Sequence, residues 1–167
     1  MRVLLRTERL ELVALEADLA RAALSDRPRF AQMLDAVVPE EWPLTDLREA
    51  LPLFASFADG EAFGGVVVHR NRRVVVGDAG FHGTPIQGGD AEIGYSLVIE
   101  ARGHGYATEI VAALLRLGWE EGLQEIVARV ELRNEPSHRV LRRNGFHSSG
   151  ESDGYTVWRL ERPVTSA

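Results

Sequence analysis

The chain contains no cysteine, and no lysine either, since all 19 of its basic residues are arginine. The first absence excludes disulfides, a thiolate nucleophile and thiolate-ligated zinc. The second excludes a Schiff-base lysine and the lysine-dependent phosphate loop of many NTPases. Long apolar runs are missing too: residues 1–9 hold no signal-peptide core, and no later stretch approaches a membrane span. A cytoplasmic protein with no membrane partner is expected. Positive charge is in deficit, with 25 acidic residues and a formal net charge of −6, which argues against nonspecific nucleic-acid binding. Such a surface tolerates or mildly attracts a cationic amine. His69, His82, His104, His138 and His147 show no spacing of the H-x-x-x-H kind, so no metal site is expected.

What is present fits one domain over residues 1–167: hydrophobic residues make up 45% and charged residues 26%, ordinary for a globular protein with a real core. Alternation predicts a first strand over 9–14, and helical spacing predicts helices over 18–24, 28–34 and 46–58. Thr45 is the expected N-cap of the third helix, and Pro52 is expected to kink or shorten it. Two strands follow over 62–69 and 73–81, joined by a turn through Arg70, Asn71 and Arg72, then a polar, glycine-rich loop over 83–90. A strand over 91–99 leads to a helix over 108–119, in which Ile110, Leu114 and Leu117 form a stripe widened by Val111 and Leu115. Gly118 and Gly122 mark its end. A strand over 125–132, a helix over 134–144 closed by Gly145 and Phe146, and a hairpin over 146–160 turning at Asp153-Gly154 complete the chain.

The most informative run is Arg102-Gly103-His104-Gly105-Tyr106-Ala107, set between a strand and a helix. Two glycines let backbone approach a ligand closely, and the first-turn N–H groups with the helix dipole favour a phosphate. A nucleotide-like cofactor is the first hypothesis. The Rossmann fingerprint is a rival, with Gly103 and Gly105 as its first glycines and Glu131 as the ribose-binding acid. Thr108 stands where that fingerprint needs glycine or alanine, and the motif falls late, after hairpin-like strands.

Arg102, Gly105 and Ala107 occupy a Q/R-x-x-G-x-G/A pattern. Around it, Glu92-Ile93-Gly94-Tyr95, Asn134-Glu135-Pro136-Ser137 and Asn144-Gly145-Phe146 follow in order, and Arg6 to Leu12 opens the chain in a matching way. In these segments the sequence resembles the GNAT superfamily of acyl-CoA-dependent N-acyltransferases, and within it the Rim-type branch of ribosomal-protein alanine N-acetyltransferases. Ile99 departs from a frequent proline of that branch and Ser96 from a frequent bulky aromatic, both beside the acyl-binding groove. The resemblance implies an α/β (α+β) fold: a mixed, mostly antiparallel central sheet with helices on both faces. The strand ending at Ile99 and the strand from Glu125 would splay apart and bind acetyl-CoA as co-substrate. Backbone groups of Leu97 and Val98 would pair with the pantetheine arm, and N–H groups of Gly103, His104, Gly105, Tyr106, Ala107 and Thr108 would cradle the pyrophosphate. Arg102 would add charge there.

The implied activity is acetyl transfer to a primary amine, which needs a neutral amine, a polarised thioester carbonyl and protonation of the leaving thiolate. Glu92 is the candidate base; it shares a strand face with Gly94 and Ser96, where Gly94 would leave room for a ligand. It reads equally as a solvated strand-end carboxylate. Ser137 is the candidate acid, because the resemblance places it near the CoA sulfur; it reads also as a helical serine bonded to the preceding turn. Leu141 offers no hydroxyl where many relatives have tyrosine. Asn134 is both a good N-cap and, by resemblance, a ligand of the pantetheine amide. Arg139, Arg142 and Arg143 could attract nucleotide phosphates but read first as complements of the helix dipole, Asp78 with His82 could be a catalytic pair but reads first as polar-face decoration, and Trp42 beside Glu40 and Glu41 would suit an amine substrate but reads first as a loop anchor.

Without a cysteine nucleophile, the expected mechanism is direct attack by the amine in a ternary complex. The acceptor is a peptide N-terminus or a small-molecule amine, and a homodimer is compatible with the resemblance. An NAD(P)-dependent oxidoreductase with a Rossmann-like turn, or a non-catalytic acyl-CoA-binding module, are the competing readings.

Overall fold

The computed structural model describes residues 1–85 and 88–164. Eight strands form one sheet: β1 (Val3–Arg6), β2 (Leu10–Ala14), β3 (Gly64–His69), β4 (Val74–Phe81), β5 (Asp90–Leu97), β6 (Glu125–Glu131), β7 (His147–Ser152) and β8 (Tyr155–Glu161). Their order is β1-β2-β3-β4-β5-β6-β8-β7. Each neighbouring pair is antiparallel except β5 and β6. The central strands read as they do because both faces are covered. Valine runs dominate β3 and β4, and β2 is buried throughout, since β-branched side chains suit a pleated surface packed on two sides.

Helices α1 (Ala17–Ser25), α2 (Arg27–Leu34) and α3 (Thr45–Phe54) pack together, as do α4 (Tyr106–Glu120) and α5 (Glu135–Arg143). The residues of β4 and β5 alternate between these two layers, so the expected mixed sheet with helices on both faces is the observed fold. No helix among the described residues is long and apolar enough to cross a membrane.

Several boundaries differ from expectation. Strand β1 lies outside the predicted elements. Thr45 is the first helical residue, not the N-cap: extended Leu44 takes the capping position and offers no side-chain bond. Pro52 falls in the last turn of α3, which ends at Phe54 instead of residue 58. Gly118 does not end α4. It lies inside the helix, where a Cβ would come within 2.7 Å of Ile126 Cδ1, so it permits close helix-to-sheet packing. Of the 83–90 loop, positions 86 and 87 lie outside the described residues. The end of α5 is as expected: Gly145 has φ +88°, and the Phe146 N–H donates to the Leu141 carbonyl at 3.0 Å.

One interruption of the sheet creates the site. The parallel β5–β6 ladder runs from Asp90–Glu125 to Ile93–Ala128 and stops. Beyond it, β5 stays with β4 as far as Leu97–Gly77, while β6 stays with β8 as far as Glu131–Tyr155. The two strands part after Ile93, as the splayed pair was expected to do.

Candidate active site

A cavity of about 520 Å³ fills the split. Its walls are the end of β5, the glycine turn with the start of α4, and the first turns of α5. Gly103 and Gly105 have φ of +77° and +79°, which only glycine adopts freely, and Gly105 is the N-cap of α4. The turn is fastened from outside by Arg9. Its guanidinium donates to the His104 carbonyl at 2.9 Å and to Glu109 at 2.7 Å, and lies 4.7 Å from the Tyr106 ring centroid. Glu109 also accepts from the Thr7 hydroxyl and the Arg9 N–H. Burial alone would raise the Glu109 pKa, but these bonds and the Arg9 charge outweigh it and hold the carboxyl below its usual range.

Most residues expected to bind the cofactor line this cavity: Leu97, Arg102, Gly103, Gly105, Tyr106, Ala107 and Thr108 from one side and Asn134 from the other, where Ser137, the candidate acid, joins it. Two do not. Val98 is 3% exposed and its N–H donates to the Val76 carbonyl at 3.0 Å, so its amide is already committed to the sheet. The His104 ring stacks on Tyr106 with centroids 5.4 Å apart, and its Nδ1 sits 3.3 Å from the Ala101 carbonyl. It shapes the turn and does not face the cavity.

Asn134 is the N-cap of α5, its Oδ1 accepting from the Ser137 N–H at 3.3 Å, and it also lines the cavity. Ser137 is half-buried, and among the described residues its hydroxyl makes no bond back to the preceding turn. Its carbonyl accepts from the Tyr95 hydroxyl at 3.4 Å, tying β5 to α5 across the split. Burial raises the Tyr95 pKa. Arg139 and Arg143 also line this wall, which their reading as dipole complements had left out. Together with Arg102 they give it three guanidinium groups and no carboxylate.

A second cavity, of about 160 Å³, opens on the other face of β5. Its floor is glycine, from Gly64, Gly65, Gly80 and Gly94, and α3 closes it with Leu47, Ala50 and Phe54. Tyr95 and Ser96 line both cavities. At Gly94 the space a Cβ would take is held by the His82 ring, whose Nε2 would lie 2.7 Å from it, and both residues line this cavity. Glu92 stands further along the same strand face, outside the lining of either cavity. Its carboxylate is 3.7 Å from His82 Nδ1 and 3.9 Å from Arg129 Nε.

Asp78 is on the wall of the second cavity, cross-strand from Ser96, whose hydroxyl donates to it at 2.9 Å. Its pKa is pushed up to about 7, first by burial and then by the nearby Asp46 charge, with the Ser96 bond pulling the other way. Strand parity with His82 was the available signal. The Ser96 partnership depends on β4–β5 register, which pattern alone does not reveal. Trp42 is 1% exposed and stacks on Phe30 with centroids 4.8 Å apart, a core anchor as expected. His138 is likewise structural: Trp158 Nε1 donates to its Nδ1 at 3.1 Å, and its Nε2 lies 3.1 Å from the Leu132 carbonyl.

This geometry has counterparts among known proteins. The acetyltransferase (GNAT) domain model matches residues 9–147. The uncharacterized N-acetyltransferase YjdG of Bacillus subtilis is 31% identical over 164 residues, covering 93% of this chain and 96% of that protein. The ribosomal-protein-S5-alanine acetyltransferase of Vibrio fischeri superposes with a TM-score of 0.63 at 21% identity, over 96% of this chain and 97% of the other. RimL, a ribosomal L7/L12 alpha-N-protein acetyltransferase solved with coenzyme A, does so with a TM-score of 0.64 at 19% identity, over 96% and 98%. The chain belongs to the GNAT acetyltransferase family.

Proposed function

We propose that the protein moves the acetyl group of acetyl-CoA to a primary amine by direct attack within a ternary complex. The observation that carries this reading is that two cavities of opposite charge meet at Tyr95 and Ser96. The larger, with Arg102, Arg139 and Arg143 beside the first turn of α4, suits a pyrophosphate and a phosphorylated nucleotide. The smaller suits a cationic amine. Acetyl-CoA supplies an activated acyl carbonyl; the residues supply orientation and proton handling. Asn134 and the edge of β5 at Leu97, where β6 has parted and Arg102 Nε donates to the Leu97 carbonyl at 3.2 Å, hold the pantetheine arm, and Ser137 donates a hydrogen bond to the departing sulfur.

Glu92 takes part as a proton acceptor at the rim. It acts through His82 or water, because His82 lies between it and the cavity. The acceptor is a peptide N-terminus or a small-molecule amine. A Rossmann oxidoreductase is disfavoured by the sheet, in which β5–β6 is the single parallel pair among the described strands.

Initial rates with both substrates varied test this directly: intersecting lines are expected, and a covalent acetyl-enzyme would sink the mechanism. CoA should raise the melting temperature where NAD(P) does not. Glu92→Ala and Ser137→Ala should each lower kcat by roughly 10-fold or more; unchanged rates in both would refute their assignment.

A further inference from the structure

We propose that the smaller cavity is the acceptor site and that Asp78, positioned by Ser96, is the catalytic residue that binds the substrate's ammonium group and takes its proton, in a site built for primary amines carrying no carboxylate. The inference rests on the acetyl-transfer reading above and adds its acceptor chemistry.

Among the described residues burial acts on the titration of three carboxylates, Glu11, Glu109 and Asp78, and the first two bring their own cation. Glu11 accepts from Arg73 at 2.7 Å and from Arg6 at 3.3 Å, and Glu109 accepts from Arg9 at 2.7 Å. At Glu11 the arginines outweigh burial, and at Glu109 the Thr7 hydroxyl, the Arg9 N–H and the Arg9 guanidinium do so together, which keeps both acids ionised. Asp78 has a single hydroxyl partner, and among the described residues no arginine or histidine nitrogen lies within ion-pair distance of it. A carboxylate taken from water without a countercharge is costly, and folds keep such groups mainly where a ligand completes them.

The surroundings say what that ligand is. The titratable groups around Asp78 are Asp46 on α3, His82 just beyond β4, and Tyr95 on β5, with Glu92 further along β5. No arginine lines this cavity. A cation is therefore drawn in, while a substrate carboxylate would meet Asp46 and Asp78 with nothing to neutralise it. Leu47, Ala50, Phe54 and Phe81 leave apolar wall for a slim body. Ser96 replaces a bulky aromatic frequent in the branch the sequence resembles. It leaves space for the Asp78 carboxyl and supplies its donor, at the wall both cavities share.

The proton balance is simple. The ammonium N–H bond breaks with its electron pair left on nitrogen, and an O–H bond forms on Asp78. The neutral amine then forms a C–N bond at the acetyl carbonyl, the C–S bond breaks, and the thiolate leaves with that pair and takes the amine's second proton. Asp78 then passes its proton out through His82 or water to Glu92 at the rim, and so to solvent. A carboxyl titrating near neutrality is matched to this task.

The test measures acetyl-CoA turnover against three groups of amines: alkyl- and arylalkylamines, amino-acid amides, and the matching free amino acids. Wild type should acetylate members of the first two groups at least about 30-fold faster than the matching acids. Asp78→Asn should lower kcat/KM for the best amine by about 100-fold or more, with the acetyl-CoA-induced rise in melting temperature intact. Ser96→Ala should move the acid limb of the kcat/KM profile to higher pH, because the bond that lowers the Asp78 pKa is gone; this readout does not depend on how Asp78→Asn folds. Asp78→Asn within threefold of wild type, an unmoved acid limb in Ser96→Ala, or free acids as the preferred acceptors would overturn the proposal. If wild type binds acetyl-CoA but acetylates no amine at all, the acetyl-transfer reading itself has failed, a result distinct from loss of the Asp78 role alone.

Discussion

The two cavities share Tyr95 and Ser96 yet are built on opposite economies of charge. The cofactor cavity presents Arg102, Arg139 and Arg143 from the turn and α5, with no carboxylate on its wall. The acceptor cavity presents Asp78 from β4 and Asp46 from α3, with no arginine. Exposed arginines at a helix end cost the fold little, since water solvates them until a phosphate arrives. A carboxylate sunk into the sheet is different. The fold carries its desolvation whenever Asp78 is ionised, and a proton or an ammonium ligand offsets it. One side of the active site is therefore close to neutral for stability and the other is a standing strain.

The largest test of this contrast is stability against pH. Asp78 ionises at about 7 in the folded chain against a reference of 3.8. Between those values the folded state holds a proton that the unfolded state has lost, so the Asp78 contribution to stability falls as pH rises from about 4 to about 7 and stays lost above. Asp78→Asn removes that penalty. At pH 8 the variant should be more stable to urea by on the order of 2–4 kcal/mol, with the gain vanishing below about pH 4. A variant less stable than wild type at pH 8 would break the comparison on the acceptor side.

Reversing charge on the other side should hurt binding and leave folding alone. Replacing Arg139 and Arg143 together by glutamate is expected to raise the KM for acetyl-CoA by about 30-fold, in line with the loss of charge-assisted phosphate contacts. The acceptor KM and the melting temperature should barely move. Equal effects on both substrates would show that the two cavities are not electrically separate, and salt should shrink the wild-type advantage because these arginines are solvent-facing.

Local rules made most of the fold readable. Alternation and helical spacing located seven of the eight strands and all five helices, and the Gly145 and Asp153-Gly154 turns behave as their backbone chemistry requires. The turn proposed to hold the cofactor was legible for the same reason, since its glycines and the helix start that follows are consecutive residues. The acceptor cavity was not. Asp78, Ser96 and Asp46 come from three elements and meet only through strand register and the placement of α3, neither of which is a local property. Glu92 and Asp78 share a face, and the residue pattern singles out Glu92 because it lies in a segment of the motif. Only the three-dimensional census of arginine partners separates a carboxylate with a cation from one without.

Arg9 belongs to neither cavity, which makes it the finest test of how they differ. It sits outside the glycine turn, bonded to the His104 carbonyl and to Glu109 and lying against Tyr106, so it holds the backbone of the turn proposed to receive the pyrophosphate without lining that cavity itself. Preorganised N–H groups bind an anion better than mobile ones, because less order is lost on binding. Arg9→Ala should therefore raise the KM for acetyl-CoA about threefold while kcat and the acceptor KM hold, the pattern of a positioning residue. Arg9→Gln, which keeps a donor for the carbonyl but loses the charge beside Glu109, should recover part of that loss. If both variants instead lower kcat at unchanged KM, the clamp acts on chemistry at the shared wall, and the turn and the acceptor cavity are coupled through β5.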